Sequence, residues 1–278
     1  VLIELYISCT LIDVRDLRVL FFIYHVNIIN IGDHMNQTIN TILKHSSVRS
    51  YTNQEVSDEI VETLIQSAQA ASSSHFIQAY SIIQIKDKSI RNEIARLLDN
   101  PKHIIEAPLY FVFVADLSRH KRITEMYDIP MASLESEVLL ITTVDASIAA
   151  QNMFVAAESL GLGGLYTGVL RNTPNEISKL LNLPEYSFAL FGLCFGYPAK
   201  VNEVKPRLPI KEILHIDTYN TTKSISNLEE YNLVMKEYYS KRSSNSKDEI
   251  WTEQVAHYFN STLRPHMNSF LKSIGFKL

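Results

Sequence analysis

Apolar positions along the chain switch between two periods, and the switches mark the elements. From Ser57 to Ala70, residues Ile60, Leu64, Ile65 and Ala68 fall on one helical face. Ser57 is placed to cap that helix, with Asp58 and Glu59 in its first turn. Residues 80–86 and 109–115 are β-branched and aromatic, which predicts strands, with a helix over 88–98 between them. A shorter helix is expected over 38–45. The longest periodic segment is 132–160. From Val138 to Leu160 it is apolar nearly all round, interrupted by Asp145, Gln151, Asn152 and Glu158, which predicts a buried central helix. Gly161 stands where a helix-ending glycine belongs.

A short strand over 164–169 follows. Thr173 and Pro174 then read as N-cap and first residue of another helix. Residues 188–196 read as a core strand and 213–217 as a short edge strand. Two more helices are expected, over 227–240 and 248–271, joined by a serine-rich basic linker, 241–247. No repeat, low-complexity tract or Pro/Gly-rich boundary interrupts the pattern. Strands and helices intermix without a regular βαβ rhythm, so the fold class is α+β. The helical tail after about residue 220 is expected to lie outside the main core and to embrace a partner subunit.

Residues 1–34 read unlike the rest. Met35 is the first methionine, and the apolar run from Val19 to Ile31 contains His25, Asn27 and Asn30. That run falls short of the roughly 20 residues a spanning helix needs, and it lacks a clear signal-peptide pattern. Translated upstream sequence, a surface or dimer extension and a membrane anchor are the three readings, the first being the expected one. A chain beginning at Met35 is expected to fold and to work like the full chain. The domain expectation is therefore an atypical extension over 1–34 and one domain over 35–278.

Composition bounds the rest. The chain has 278 residues, 46% hydrophobic and 20% charged, with net charge −4. It is long enough to bury a core without disulfide or metal staples. The mildly acidic balance gives no general reason to bind nucleic acid or an anionic membrane. Cys9 and Cys194 form neither a disulfide framework nor a CxxC site, so a reducing, cytoplasmic location fits best.

Several chemistries lack their signature. There is no GxSxG elbow, HExxH pair or P-loop. The nine His have no ligand spacing, so no metal is expected. Gly161-x-Gly163-Gly164 follows a helix and precedes a strand, the reverse of a dinucleotide loop, and reads as a helix stop.

Five features could carry chemistry. His45, Ser46, Ser47 and Arg49 place an imidazole, two hydroxyls and a guanidinium at a helix–strand seam, donor types that hold phosphate. Ser72-Ser73-Ser74-His75-Phe76 offers hydroxyls and amides after an amphipathic helix. Lys205-Pro206-Arg207 holds two cations apart by a rigid proline. Arg242 and Lys247 lie in the basic linker, and Arg264 precedes Pro265. Each alone also reads as a capped end, a polar loop or a solvated basic turn.

Together, in this order, they resemble one family. Ala150 to Asn172, Leu190 to Pro198 and Lys205 to Pro209 carry the likeness, which runs from about Asn40 to the C-terminus. The chain resembles FMN-dependent nitroreductases of the NADPH-preferring group. The resemblance implies a mostly antiparallel sheet flanked by helices, in an intertwined homodimer with one FMN in each interface. It implies ping-pong turnover, NADPH giving a hydride to flavin N5 and a nitroaromatic, quinone or related acceptor taking two electrons, with no catalytic side chain.

Carried over by residue, it implies that His45, Ser46, Ser47, Arg49, Ser73, Tyr166, Thr167, Gly168, Val169, Lys205 and Arg207 contact FMN. Of these, Arg207 and His45 would neutralise phosphate, while Arg49 or Lys205 would stabilise the anionic reduced flavin. Arg242 and Lys247 would meet the NADPH 2′-phosphate. His75, Phe76 and Arg264 would line the substrate side. Ser46, Pro101 and Val169 depart from the family pattern, standing where Arg, Gln and Gly are usual. A flavin or disulfide reductase and a non-catalytic flavin-binding sensor remain the alternatives on the same scaffold.

Overall fold

The computed structural model describes residues 36–222, 226–241 and 249–278. The expectations for residues 1–34, Arg242 and Lys247 lie outside them. By compactness the chain divides into two units, Val1–Leu43 and Lys44–Leu278. In the first, helix α1 (Gln37–Leu43) opens with the Asn36 side chain accepting from the Ile39 N–H at 3.0 Å. It ends two residues short of the expected boundary.

In the second unit four strands form one antiparallel sheet. They are β1 (Tyr80–Gln84), β2 (Leu109–Asp116), β3 (Gly163–Thr167) and β4 (Ser187–Gly196), in the order β1-β2-β4-β3. Side chains alternate across a strand, and β2 shows why this sheet is buried on both faces. Tyr110, Val112 and Val114 enter one core cluster with Cys194, Ile94 and Ile177. Leu109, Phe111 and Phe113 enter the other, with Leu64, Met153 and Phe154.

The helices supply those layers: α2 (Asp58–Gln69), α3 (Lys88–Leu97), α4 (Lys102–Glu106), α5 (Ser118–Met126), α6 (Ser136–Ser159) and α7 (Pro174–Leu180). Ser57 caps α2 as expected, accepting from the Ile60 N–H at 3.4 Å. Pro174 opens α7, but Thr173 makes no capping bond and its hydroxyl is buried without a partner. Gly161, at φ +81°, turns the chain from α6 into β3.

Helix α6 is long and apolar enough to cross a membrane, yet it lies against the sheet, with Ala146, Ala149, Ala150 and Met153 wholly buried. The expectation of burial all round is corrected on one side. Leu140, Val144 and Ile148, spaced four apart, are 60%, 50% and 38% exposed. They form a second apolar face that is left exposed among the described residues.

The tail departs from expectation at three points. Residues 213–217 form no strand; helix α8 (Ile210–Ile213) precedes an open segment in which Leu214 and Ile216 face outward. The expected helix over 248–271 is two helices, α10 (Trp251–Phe259) and α11 (Met267–Ser273), because Pro265 has no N–H to donate and Arg264 takes φ +46°. Helix α9 (Ser226–Ser240) does form a separate small cluster through Tyr231, Met235 and Tyr239. The end of the chain does not stay outside: Phe270, Leu271 and Phe276 return to the core beside Phe188.

Candidate functional site

The segment 45–52 is stitched to the strand ends by its backbone. The Val48 N–H donates to the Gly164 carbonyl at 2.8 Å, the Thr52 N–H to Tyr197 at 2.9 Å, and Tyr51 bridges Pro198. Such close approach needs missing side chains. A Cβ on Gly163 would stand 2.5 Å from Val48 Cγ2, and one on Gly196 2.8 Å from Tyr51 Cδ1.

This stitching brings two distant stretches together. His45, Ser46, Ser47 and Arg49 line one cleft with Asn202, Glu203, Lys205, Arg207 and Tyr238, enclosing about 230 Å³. Asn202 Nδ2 donates to the Ser47 carbonyl at 2.7 Å. Helix α9 holds the other wall: the Tyr231 hydroxyl donates to the Pro206 carbonyl at 3.0 Å, and Lys205 Nζ lies 5.4 Å from the centre of the Tyr239 ring. Four basic side chains therefore share one small concavity, an arrangement that suits an anion.

A second group adjoins the first through aromatic rings. His45 meets Phe154 edge-on at 5.2 Å, and Phe154 stacks on Tyr166 at 5.3 Å with the planes 5° apart. The Tyr166 hydroxyl donates to Gln151 Oε1 at 3.1 Å. Burial, with Glu158 nearby, pushes the phenol well above its ordinary range. The same helix fixes His45: its Nδ1 lies 2.7 Å from Glu158 Oε1. After Tyr166 the chain turns through a short 3-10 stretch, Gly168–Asn172. Thr167 is buried there, and Val169 turns its side chain against the core cluster around Leu165 and Leu170.

Arg264 reaches this turn from the break between α10 and α11. Its Nε donates to Asn172 Oδ1 at 2.9 Å and its Nη2 to the Gly168 carbonyl at 3.4 Å. His266 Nε2 donates to the Arg171 carbonyl at 2.9 Å.

The serine loop stands apart from the cleft. Ser73 Oγ donates to Asp145 Oδ2 at 2.7 Å and accepts from the Gln78 N–H. Asp145 also accepts from the Ser74 and Ala79 N–H groups. The Ser73 proton is thus committed inside the chain, which leaves that oxygen as an acceptor only. His75, Phe76 and Gln78 hold φ +50°, +57° and +52°, and Phe76 is 77% exposed. Asp145 and Glu158 lie thirteen residues apart on α6, about 20 Å along its axis. Within one chain, then, Ser73, His75 and Phe76 belong to the middle of α6, and His45 to its C-terminal end.

Sequence reasoning missed Asn202, Glu203, Tyr238, Asp145 and Glu158 as parts of these groups. The last two were visible as interruptions in an apolar helix. Of the three departures, Ser46 lines the cleft and Val169 is absorbed by the core. Pro101 serves as the residue before α4, where His103 stands near Arg49; burial, then Arg49, holds that imidazole below its ordinary value. Cys194 is wholly buried, and burial pushes its thiol up to about 12, so it is an inert core residue.

Comparison with known proteins gives one consistent result. Residues 42–197 match the model of the nitroreductase family, and residues 205–278 match that of the nitroreductase family C-terminal domain. A Cr(VI) reductase of Pseudomonas sp. (strain G-1) is 45% identical over 232 residues, 84% of this chain and 96% of that protein. An NADPH-flavin oxidoreductase of Vibrio harveyi is 40% identical over 241 residues, 87% and 98% of the two chains. The solved structure of NfrA1 nitroreductase from B. subtilis superposes with a TM-score of 0.82 at 37% identity, over 86% of this chain and 99% of that one.

Proposed function

The chain belongs to the nitroreductase family, and from that premise we propose which residues hold its cofactor and how the site is completed. It is an oxidoreductase that uses FMN and NADPH to reduce small-molecule acceptors. The chemistry a bound FMN supplies is two-electron exchange between NADPH and an acceptor.

The observation that carries the residue assignment is the cleft lined by His45, Arg49, Lys205 and Arg207. The donor set fits a phosphate: a guanidinium offers paired N–H groups, and the Ser46 and Ser47 hydroxyls add neutral donors. His45, Ser47, Arg49, Lys205 and Arg207 hold the phosphate end and the polar edge of FMN. The Ser46 hydroxyl takes the place of a guanidinium, at a cost of about 1.5–3 kcal/mol in charge-assisted binding. The Tyr166 side chain and the backbone of Thr167, Gly168 and Val169 form the wall for the flavin ring, with the Thr167 and Val169 side chains turned inward. Arg264 braces that wall from its substrate side. Arg242 and Lys247 receive the NADPH 2′-phosphate.

The site is completed by a second copy of the chain. Two observations support a homodimer. The stripe of Leu140, Val144 and Ile148 is an apolar face left exposed among the described residues. The serine loop is held at the middle of α6, about 20 Å along the axis from the end that meets the cationic cleft, so Ser73, His75 and Phe76 serve the partner's FMN. Nitroaromatics, quinones and free flavins are the acceptors, because a shallow pocket over a flavin admits many planar oxidants. The location is cytoplasmic, without a membrane or nucleic-acid partner.

The test is the visible absorption spectrum of the purified protein, followed by NADPH without oxygen and NADH in parallel. Flavin bands that bleach preferentially with NADPH are expected. Bands that persist with both nicotinamides would instead mark a flavin-binding sensor. A colourless protein that takes up no added FMN would overturn the residue assignment.

A further inference from the structure

A carboxyl beside an anion pocket needs a reason, since its charge opposes the ligand. Glu158 is such a group. Its side chain is 13% exposed, and its Oε1 lies 2.7 Å from His45 Nδ1. Gln151, Phe154 and Glu158 follow one another at helical spacing on α6 and serve the same neighbours. Gln151 accepts from Tyr166, Phe154 packs against both Tyr166 and His45, and Glu158 engages His45.

The His45 ring is therefore held in two ways, by Phe154 at its edge and by Glu158 at Nδ1. A carboxylate partner makes Nδ1 the donor, and Nε2 is the nitrogen left for the cleft that His45 lines. As imidazolium the ring donates on both sides, to Glu158 and to an anion. The carboxyl that opposes the ligand by its charge thus favours it by orienting a donor.

We propose that Glu158 is a positioning residue of the cofactor site: through His45 it directs a donor at the FMN phosphate, and so sets the preference for FMN over unphosphorylated riboflavin. This rests on the reading of the cleft as a phosphate cradle. Glu158 touches no part of the cofactor in this scheme. Its effect passes wholly through one imidazole, which gives it a signature that a merely structural carboxyl lacks.

The experiment titrates FMN and riboflavin, by fluorescence quenching, into flavin-free full-length protein. Wild type, Glu158→Ala, Glu158→Gln, Glu158→Asp, His45→Ala and the His45→Ala/Glu158→Ala double variant are compared, with a thermal melt of each. Glu158→Ala is expected to weaken FMN binding about tenfold and to leave riboflavin binding within about twofold. Glu158→Gln, whose amide oxygen still accepts from Nδ1, is expected to restore most of the loss. Glu158→Asp, too short to reach, is not, and it serves in place of Glu158→Ala should that variant fail to fold. In the His45→Ala background, removal of Glu158 is expected to cost nothing further. Equal losses for FMN and riboflavin, or additive losses in the double variant, would overturn the proposal. Wild-type protein that binds FMN no more tightly than riboflavin would overturn the phosphate cradle itself, a separate failure.

Discussion

Single residues set the tolerances of this site. Gly163 is one: the space its hydrogen leaves is filled by Val48 Cγ2 and Pro198 Cγ, 2.5 and 3.0 Å from where a Cβ would be. Gly163→Ala pushes on the very segment that carries His45, Ser47 and Arg49. The expected outcome is a stability loss of about 1–3 kcal/mol, measured by urea denaturation, with a larger relative fall in FMN affinity measured by fluorescence titration. Unchanged FMN affinity in a folded variant would show that the cleft does not depend on this contact. Residue types were readable before the fold was known: the imidazole at 45, the cations at 49, 205 and 207 and the hydroxyls at 46 and 47. Their convergence was not readable from spacing, because it depends on Val48 pairing with Gly164 and on Tyr231 holding Pro206, contacts between distant parts of the chain.

At the scale of elements, α6 anchors more than it packs. Asp145 takes hydrogen bonds from Ser73 Oγ and from the Ser74 and Ala79 N–H groups, and Ala79 is wholly buried. Removing it leaves a buried amide without an acceptor, at about 1–3 kcal/mol for that group alone. Asp145→Ala is expected to lower the melting temperature and to speed hydrogen exchange across residues 73–79 far more than across β2. Exchange that rises uniformly would mean the carboxyl merely stabilises the whole. The four strands, α2 and α3 were legible to within two residues at their ends, because their apolar positions do face a core, whereas the five-residue α4 is too short to show a period. The edge strand expected over 213–217 failed for the converse reason: Ile213, Leu214 and Ile216 are exposed, so their pattern reports no local burial. The long C-terminal helix failed at Arg264, where the break delivers that side chain to Gly168 and Asn172. Pro265 signalled the break, and periodicity on both sides obscured it.

For the molecule as a whole, the proposed dimer turns on the apolar stripe of α6 that the described residues leave exposed. Val144→Glu places a charge in the middle of the stripe formed by Leu140, Val144 and Ile148. It is expected to convert a two-chain species into a single chain by light scattering and to release FMN on gel filtration. A variant that stays dimeric and yellow would move the interface elsewhere. Apolarity all round α6 was plain in the sequence, but it could not say which apolar side meets this chain's own sheet and which waits for another. One further consequence lies in the distance between Asp145 and Glu158. A straight helix makes α6 a measuring rod, its middle gripping the serine loop and its C-terminal end meeting the His45 imidazole. Inserting or deleting a residue between the two marks turns them by about 100° relative to each other. The interval is therefore fixed in length, quite apart from what its side chains pack against.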